Sequence, residues 1–407
     1  NYIICCIIKM VIVVKRMLGC LIFTIFTICF CFNINASELS LNSKNVVLYN
    51  MNDNNIIFEQ NKNEVIEIAS LTKMMTSIIA LENLDLNEKV TIPKLAVENN
   101  YGLSVAGFKV GEVVTVEDLL FGALLPSGAD ACISLAIKTS GSEEAFVELM
   151  NEKAKEIGMK NTSFKNVTGI DEEGHSSTVY DVSLLLKYAL KNPEFKKIFE
   201  TKEYKTTNNL ELESSVLSIG KHFNIDTSKI KGSKTGYTDE AGLCLASIST
   251  LNNVDYLLVT CNAPSNANIP YHIIDANKIY DYYRINYDYI PIIKKNDIIK
   301  KLKVKDGKKE EYLLKQDKTI KKYLKKSSEI KVKYDGINEI NMKITKGDKL
   351  GTVRIYADKE EVEKYDVYLK DDIKYKFFTT KNIILLSFSA LIIVILYLFF
   401  RKKRKFK

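Results

Sequence analysis

Apolar residues recur at helical spacing from Ser70 to Glu82, where Leu71, Met74, Met75, Ile78, Ile79 and Leu81 line one face of a predicted helix. Residues 116–125 and 129–138 read as two further helices, broken around Pro126-Ser127-Gly128. Residues 143–156 are amphipathic and stop near Gly158. Shorter apolar runs read as strands: 45–48 and 56–58 flank an Asn-rich turn, while 242–249 and 254–261 flank Asn252-Asn253. Helices in the middle, with strands at both sequence ends that can pair, imply an α/β unit with an antiparallel sheet over residues 37–289.

The pattern changes over residues 290–372. Short alternating runs, such as 330–332 and 353–356, are separated by Asp306-Gly307, Asp335-Gly336 and Lys346-Gly347-Asp348. Regular turns between short strands predict a small β-sandwich. It contains no His or Cys, and its carboxylates are scattered among lysines, so a spacer or docking role fits it better than chemistry.

Two long apolar runs bracket these regions. Lys15 and Arg16 precede a run over 18–32, and Ile34-Asn35-Ala36 ends in a small residue, so 1–36 reads as a signal peptide. An uncleaved anchor is the alternative; because residue 1 is Asn, the part before Met10 or Met17 is treated as an upstream extension. The second run, 383–400, holds 18 uncharged residues, about enough to cross a bilayer of ~30 Å as a helix. It is apolar on all faces, which sets it apart from an interfacial helix. The basic tail 401–407 is expected to stay in the cytoplasm, placing the two middle regions on the extracytoplasmic face of a membrane.

Composition adds little beyond this. The chain has 407 residues, 46% hydrophobic and 27% charged, as in a globular protein. Its net charge of +8 owes six positive groups to the tail, and no aromatic-interleaved basic patch points to nucleic acid. Five of the eight cysteines lie in the export segment; Cys132, Cys244 and Cys261 are scattered in apolar stretches and predict buried thiols rather than a disulfide framework.

Three short motifs carry candidate chemistry. Ser70 and Lys73 are three apart at a predicted helix start, which puts hydroxyl and amine on one face, about 5–6 Å apart at Cβ. Lys234-Thr235-Gly236 supplies a charge, a hydroxyl and a position without a side chain, a set suited to gripping a carboxylate while a ligand backbone approaches. Ser127-Gly128-Ala129 sits between two helices, where Ser127 could relay a proton. Alone, Ser70 with Lys73 reads better as an ordinary cap with a surface lysine, Lys234-Thr235-Gly236 as a plain turn into a strand, and Ser127-Gly128-Ala129 as a helix-entry turn.

In this order and spacing, however, they resemble the S-x-x-K, S-x-N and K-T-G set of penicillin-binding proteins and serine β-lactamases. The segments 68–76, 124–128, 158–162, 168–169, 174–181 and 234–238 resemble more closely the D-alanyl-D-alanine carboxypeptidases of the low-molecular-weight penicillin-binding group. The likeness spans about residues 37–289 and extends to the β region and the C-terminal apolar run.

That resemblance implies a penicillin-binding, transpeptidase-like fold and a serine-type carboxypeptidase that removes the terminal D-alanine from peptidoglycan pentapeptides. It implies an acyl-enzyme on Ser70, Lys73 as base, and Ser127 returning the proton. Lys234, Thr235 and Gly236 would bind substrate, and the backbone N–H groups of Ser70 and Tyr237 would form the oxyanion hole. Partners would be stem peptides ending in D-Ala-D-Ala, β-lactam inhibitors and the membrane; no cofactor is implied. Lys73 would have to titrate below its ordinary range, through burial and nearby Lys234.

One position departs from the pattern. Ala129 stands where the family usually has Asn, which predicts weaker substrate positioning; Asp130, one residue on, is expected to point elsewhere. A β-lactamase is one alternative, for which Glu143 or Glu144 would have to serve as deacylation base. A penicillin-binding receptor or wall-binding module is another. Metal chemistry is not predicted, since His175, His222 and His272 form no ligand pair. Tyr280, Tyr282, Tyr283, Tyr287 and Tyr289 read as a packed junction.

Overall fold

The structure is a computed structural model that describes residues 39–98, 100, 102–265, 269–376 and 380–404. The expected signal peptide lies outside the described residues, as do 405–407 of the basic tail. The chain forms two compact units, with the boundary along the sequence between Tyr282 and Tyr283.

The first unit opens with strands β1 (Asn45–Asn50) and β2 (Asn55–Gln60), paired around a turn in which Asn54 takes a positive φ that asparagine tolerates. A 3-10 turn, Ala69–Thr72, runs directly into α1 (Lys73–Asn83). There follow β3 (Lys89–Thr91), α2 (Lys94–Glu98), β4 (Val113–Thr115), α3 (Val116–Leu124), α4 (Ala129–Ser140) and α5 (Glu143–Ile157). Next come α6 (Val179–Ala189), α7 (Pro193–Glu200), β5 (Glu203–Lys205), β6 (Glu211–Glu213) and α8 (Ser215–Phe223). Strands β7 (Gly232–Thr238), β8 (Gly242–Leu251) and β9 (Val254–Ala263) precede α9 (Tyr271–Asn286).

Five of these strands form one antiparallel sheet in the order β2-β1-β9-β8-β7. The hairpin β8–β9 turns at Asn252 and Asn253, both at positive φ. Residues Val47, Tyr49, Ala246, Ile248, Leu257 and Val259 on one sheet face join Met74, Met75, Ile78 and Ile79 of α1 in a single core. Helix α1 is buried on nearly all sides from Lys73 to Ala80, so its polar residues are enclosed with its apolar ones. Burial of each large apolar side chain contributes about 1.5–3 kcal/mol, and this fixes the sheet edge β7 relative to the start of α1.

Local caps place the other helices. Thr115 and Asp118 form a reciprocal capping box at α3, with both bonds 3.0 Å, and Thr178 caps α6 through the Asp181 amide at 3.0 Å. Helix α5 ends on Gly158 at φ 90°, a left-handed terminator that glycine adopts without strain.

The second unit is β-rich: β10 (Tyr287–Ile293), β11 (Ile298–Val304), β12 (Glu311–Lys315), β13 (Ile320–Lys325), β14 (Ile330–Gly336), β15 (Glu339–Ile340), β16 (Lys349–Ala357) and β17 (Glu360–Tyr368). They pair as β10-β13, β12-β11-β15 and β14-β16-β17. The alternation in β16 buries Leu350, Val353, Ile355 and Ala357, as a half-covered strand requires. Asp335-Gly336, predicted as a turn, instead continues β14 opposite Thr352 and Gly351. The reason is close backbone packing: a Cβ on Gly336 would lie 2.6 Å from the Gly351 Cα. The chain continues into α10 (Thr380–Arg404), whose stretch Asn382–Arg401 is long and apolar enough to cross a membrane, with mean hydropathy 2.9.

Candidate active site

The candidate nucleophile, Ser70, sits in the 3-10 turn before α1, not in the first turn of a continuous α-helix. Ala69 enters the turn at φ 46°, a conformation uncommon for a residue with a side chain. The Lys73 Nζ donates to Ser70 Oγ at 2.8 Å and to the Thr168 carbonyl at 2.7 Å. Lys73 is only 1% exposed, and burial brings its amine down to about 8, against smaller opposing effects of Cys132 and Asp130. An amine without solvent, held by one carbonyl and one hydroxyl, has little to stabilise its proton.

Ser127 stands at φ 69° in the break between α3 and α4. Its Oγ accepts from the Lys234 Nζ at 2.7 Å, and the same amine donates to the Thr235 carbonyl at 2.7 Å. Burial, then the charge of Lys73, hold Lys234 well below its ordinary range. The sequence expects burial and Lys234 together to depress Lys73; in the structure burial is the main cause of the lowering at both amines.

Lys234, Thr235 and Gly236 lie on β7, the edge of the five-stranded sheet, paired with Ala246, Leu245 and Cys244. A Cβ on Gly236 would stand 3.0 Å from both Ala69 Cβ and the Ser70 nitrogen, so any side chain there would crowd the Ser70 turn, and glycine gives the strand its close approach. Tyr237 follows as an exposed residue, its hydroxyl donating to Asp239 Oδ1 at 2.5 Å. The structure thus brings Ser70, Lys73, Ser127, Lys234, Thr235 and Gly236 to one place from three distant stretches, with Tyr237 next along the strand.

Ala129 is fully buried, and its amide donates to the Ser104 carbonyl at 2.8 Å. Asp130 turns away from the nucleophile. Its carboxylate accepts from the amides of Ala106 at 2.8 Å, Gly107 at 2.9 Å, Phe108 at 3.0 Å and Ala131 at 3.0 Å. Gly128 completes this seam, since a Cβ there would meet Ala106 Cβ at 2.7 Å.

Several contributors are not visible as such in the sequence. The Thr168 carbonyl holds Lys73, and Gly169 leaves room for the Ala69 carbonyl. Ser215 places its hydroxyl 2.5 Å from Thr235 Oγ1. His175 is buried, with Nε2 2.9 Å from Thr72 Oγ1 and Nδ1 accepting from the Lys165 amide at 3.1 Å. Glu143 and Glu144 form the first turn of α5 behind its Ser142 cap. Cys132, Cys244 and Cys261 are buried free thiols, and burial pushes Cys132 up to about 12. Among the described residues, no group of three or more His, Cys, Asp or Glu side chains is placed to hold a metal.

Comparison with known proteins follows the same division of the chain. Residues 33–265 match the family model described as D-alanyl-D-alanine carboxypeptidase. Residues 287–375 match that of the penicillin-binding protein 5 C-terminal domain. The D-alanyl-D-alanine carboxypeptidase DacF of Bacillus subtilis (strain 168) is 33% identical over 356 residues, covering 84% of this chain and 89% of its own. The structure of penicillin binding protein 5 from Haemophilus influenzae aligns with TM-score 0.59 at 25% identity, over 82% of this chain and 98% of that one. The Streptomyces K15 DD-transpeptidase aligns with TM-score 0.54 at 28% identity, over 60% of this chain and 97% of its own.

Proposed function

The chain belongs to the D-alanyl-D-alanine carboxypeptidase family of low-molecular-weight penicillin-binding proteins, and we propose that Ser70 is the nucleophile through which it acts. Its activity is that of a serine-type D-alanyl-D-alanine carboxypeptidase, a hydrolase. The observation that carries the assignment of Ser70 is the 2.8 Å bond to its hydroxyl from the amine of Lys73, a buried residue.

In this reading neutral Lys73 takes the Ser70 proton as Oγ attacks the carbonyl between the two terminal D-alanines. The oxyanion forms between the backbone N–H groups of Ser70 and Tyr237, which Gly236 allows to approach. Ser127, bonded to Lys234, passes a proton to the departing D-alanine amine, while Lys234 and Thr235 hold its carboxylate. Water then attacks the acyl-Ser70 ester and frees the shortened peptide. β-Lactams would acylate the same hydroxyl.

The membrane placement belongs to this proposal. Helix α10 would anchor the protein, with its basic end in the cytoplasm and both compact units on the extracytoplasmic face, where peptidoglycan lies. The test is to incubate the full chain in detergent with a muramyl pentapeptide and to detect free D-alanine by mass. Ser70→Ala should abolish release; undiminished release would remove Ser70 from the mechanism.

A further inference from the structure

A substrate that ends in a carboxylate needs a cationic or donor-rich seat, and a guanidinium fork is the side chain best shaped for one. The first unit has none to offer: the chain contains no arginine between Arg16 and Arg284. On the K-T-G strand the cation is Lys234, and two of its three N–H donors are already committed, to Ser127 Oγ and to the Thr235 carbonyl. The Thr235 hydroxyl therefore carries an unusual share of carboxylate recognition, and its orientation matters.

That orientation is set from outside the strand. Ser215, the first residue of α8, places its Oγ 2.5 Å from Thr235 Oγ1. Its own amide donates to the Leu125 carbonyl at 3.0 Å, two residues before Ser127. The preceding Ser214 is buried and caps α8 through the Leu217 amide at 3.3 Å, so Ser215 starts from a fixed backbone. One residue thus ties the turn that carries Ser127 to the strand that carries Thr235.

We propose that Ser215 is a positioning residue for the substrate carboxylate, acting through Thr235; this rests on the assignment of Thr235 as a carboxylate ligand. A carboxylate accepts hydrogen bonds and donates none. When it binds, the Thr235 O–H must point at it, so the short bond to Ser215 must then run the other way, with Ser215 donating to Thr235 Oγ1. Ser215 holds the threonine rotamer and supplies the proton that leaves the threonine's own free for substrate.

The test is steady-state release of the terminal residue by the full chain in detergent, as D-alanine from a D-Ala-D-Ala peptide and as D-alaninamide from the same peptide with a C-terminal amide. Ser215→Ala should raise KM for the acid about three- to tenfold with kcat changed by less than about twofold, the size expected for one hydrogen bond. KM for the amide should not change, and Ser215→Thr should restore the acid value. Thr235→Ala should raise KM for the acid at least as much, and adding Ser215→Ala to it should cost nothing further. If Ser215→Ala leaves KM untouched while Thr235→Ala raises it, the role of Ser215 is overturned. If Thr235→Ala does not weaken acid against amide, the underlying assignment of Thr235 fails instead.

Discussion

The carbonyl oxygen of Ala69 lies where a side chain on Gly169 would have to go: a Cβ there would stand 1.9 Å from it. Gly169 is itself at φ 83°, which glycine adopts freely, whereas Ala69, directly before Ser70, is held against it at φ 46°, a strained conformation for a residue with a side chain. Such strain persists only where surrounding structure enforces it. Here the enforcement comes from the segment whose Thr168 carbonyl also holds the Lys73 amine.

Gly169→Ala should therefore damage the site more than the fold. The added methyl must push Ala69, and with it the hydroxyl that meets Lys73, at a cost of about 2–4 kcal/mol from overpacking and left-handed strain. Acylation by a fluorescent penicillin should fall more than about a hundredfold, the scale expected of a misplaced reacting group. Acylation at the parent rate would show that the Ala69 turn is not what sets the serine.

The Lys73 amine, brought down to about 8, makes a prediction about pH. Only the neutral form accepts a proton, and it is about a tenth of the total one unit below that value. The second-order acylation rate constant at low β-lactam concentration, which reports the free enzyme, should climb with pH through about 8 and level above it. A stopped-flow profile that is flat from pH 6 to 9 would take Lys73 out of the role of base.

How much of this site is legible in the chain depends on the distance over which each part acts. Ser70 and Lys73 meet because three residues span most of a helical turn, which spacing reveals. The 3-10 geometry and the positive φ of Ala69 are not legible, because nothing in an Ala-Ser pair favours them; packing against Gly169 and Gly236 imposes them. Thr168, Ser215 and His175 act on residues that are 95, 20 and 103 positions away, and a hydroxyl or carbonyl has no sequence pattern of its own. The fold was more legible than the site. Hairpins at Asn252-Asn253 and helices at Pro126 are marked by local breakers, whereas the strand at Asp335-Gly336 reads as a turn until its partner Gly351 is known.

Asp130 illustrates a residue whose neighbourhood misleads. It follows the position where the family carries an amide, yet it serves the loop at residues 106–108. Asp130→Asn replaces an acceptor by a donor facing N–H groups, so it should cost about 2–4 kcal/mol, at the upper end for breaking buried charged hydrogen bonds. Hydrogen exchange should show the amides of Ala106, Gly107 and Phe108 losing protection before those of the sheet. Uniform loss across the unit would mean that Asp130 supports the fold at large rather than that loop.

His175 gives the stability of the first unit a dependence on acid. Its Nδ1 accepts from the Lys165 amide, so the ring proton resides on Nε2 and is donated to Thr72 Oγ1, two residues past Ser70. A second proton would have to displace the Lys165 bond inside a buried site, and burial accordingly holds the imidazole at about 4. His272, also buried, is held at about 4 for the same reason. In the unfolded chain both titrate near ~6.5. Between those values the unfolded chain binds protons that the folded chain refuses, so stability is intact above ~6.5 and is lost as pH falls towards 4. Each histidine contributes up to about 3 kcal/mol of that loss, on the scale of 1.4 kcal/mol per pH unit. Urea melts of the full chain in detergent at pH 7, 5.5 and 4.5 should show the decline. His175→Gln should flatten part of it, and His272→Gln the remainder. If the double variant keeps the full slope, carboxylates rather than these imidazoles carry the acid sensitivity, and the neutral His175–Thr72 bond is not what the low-pH state breaks.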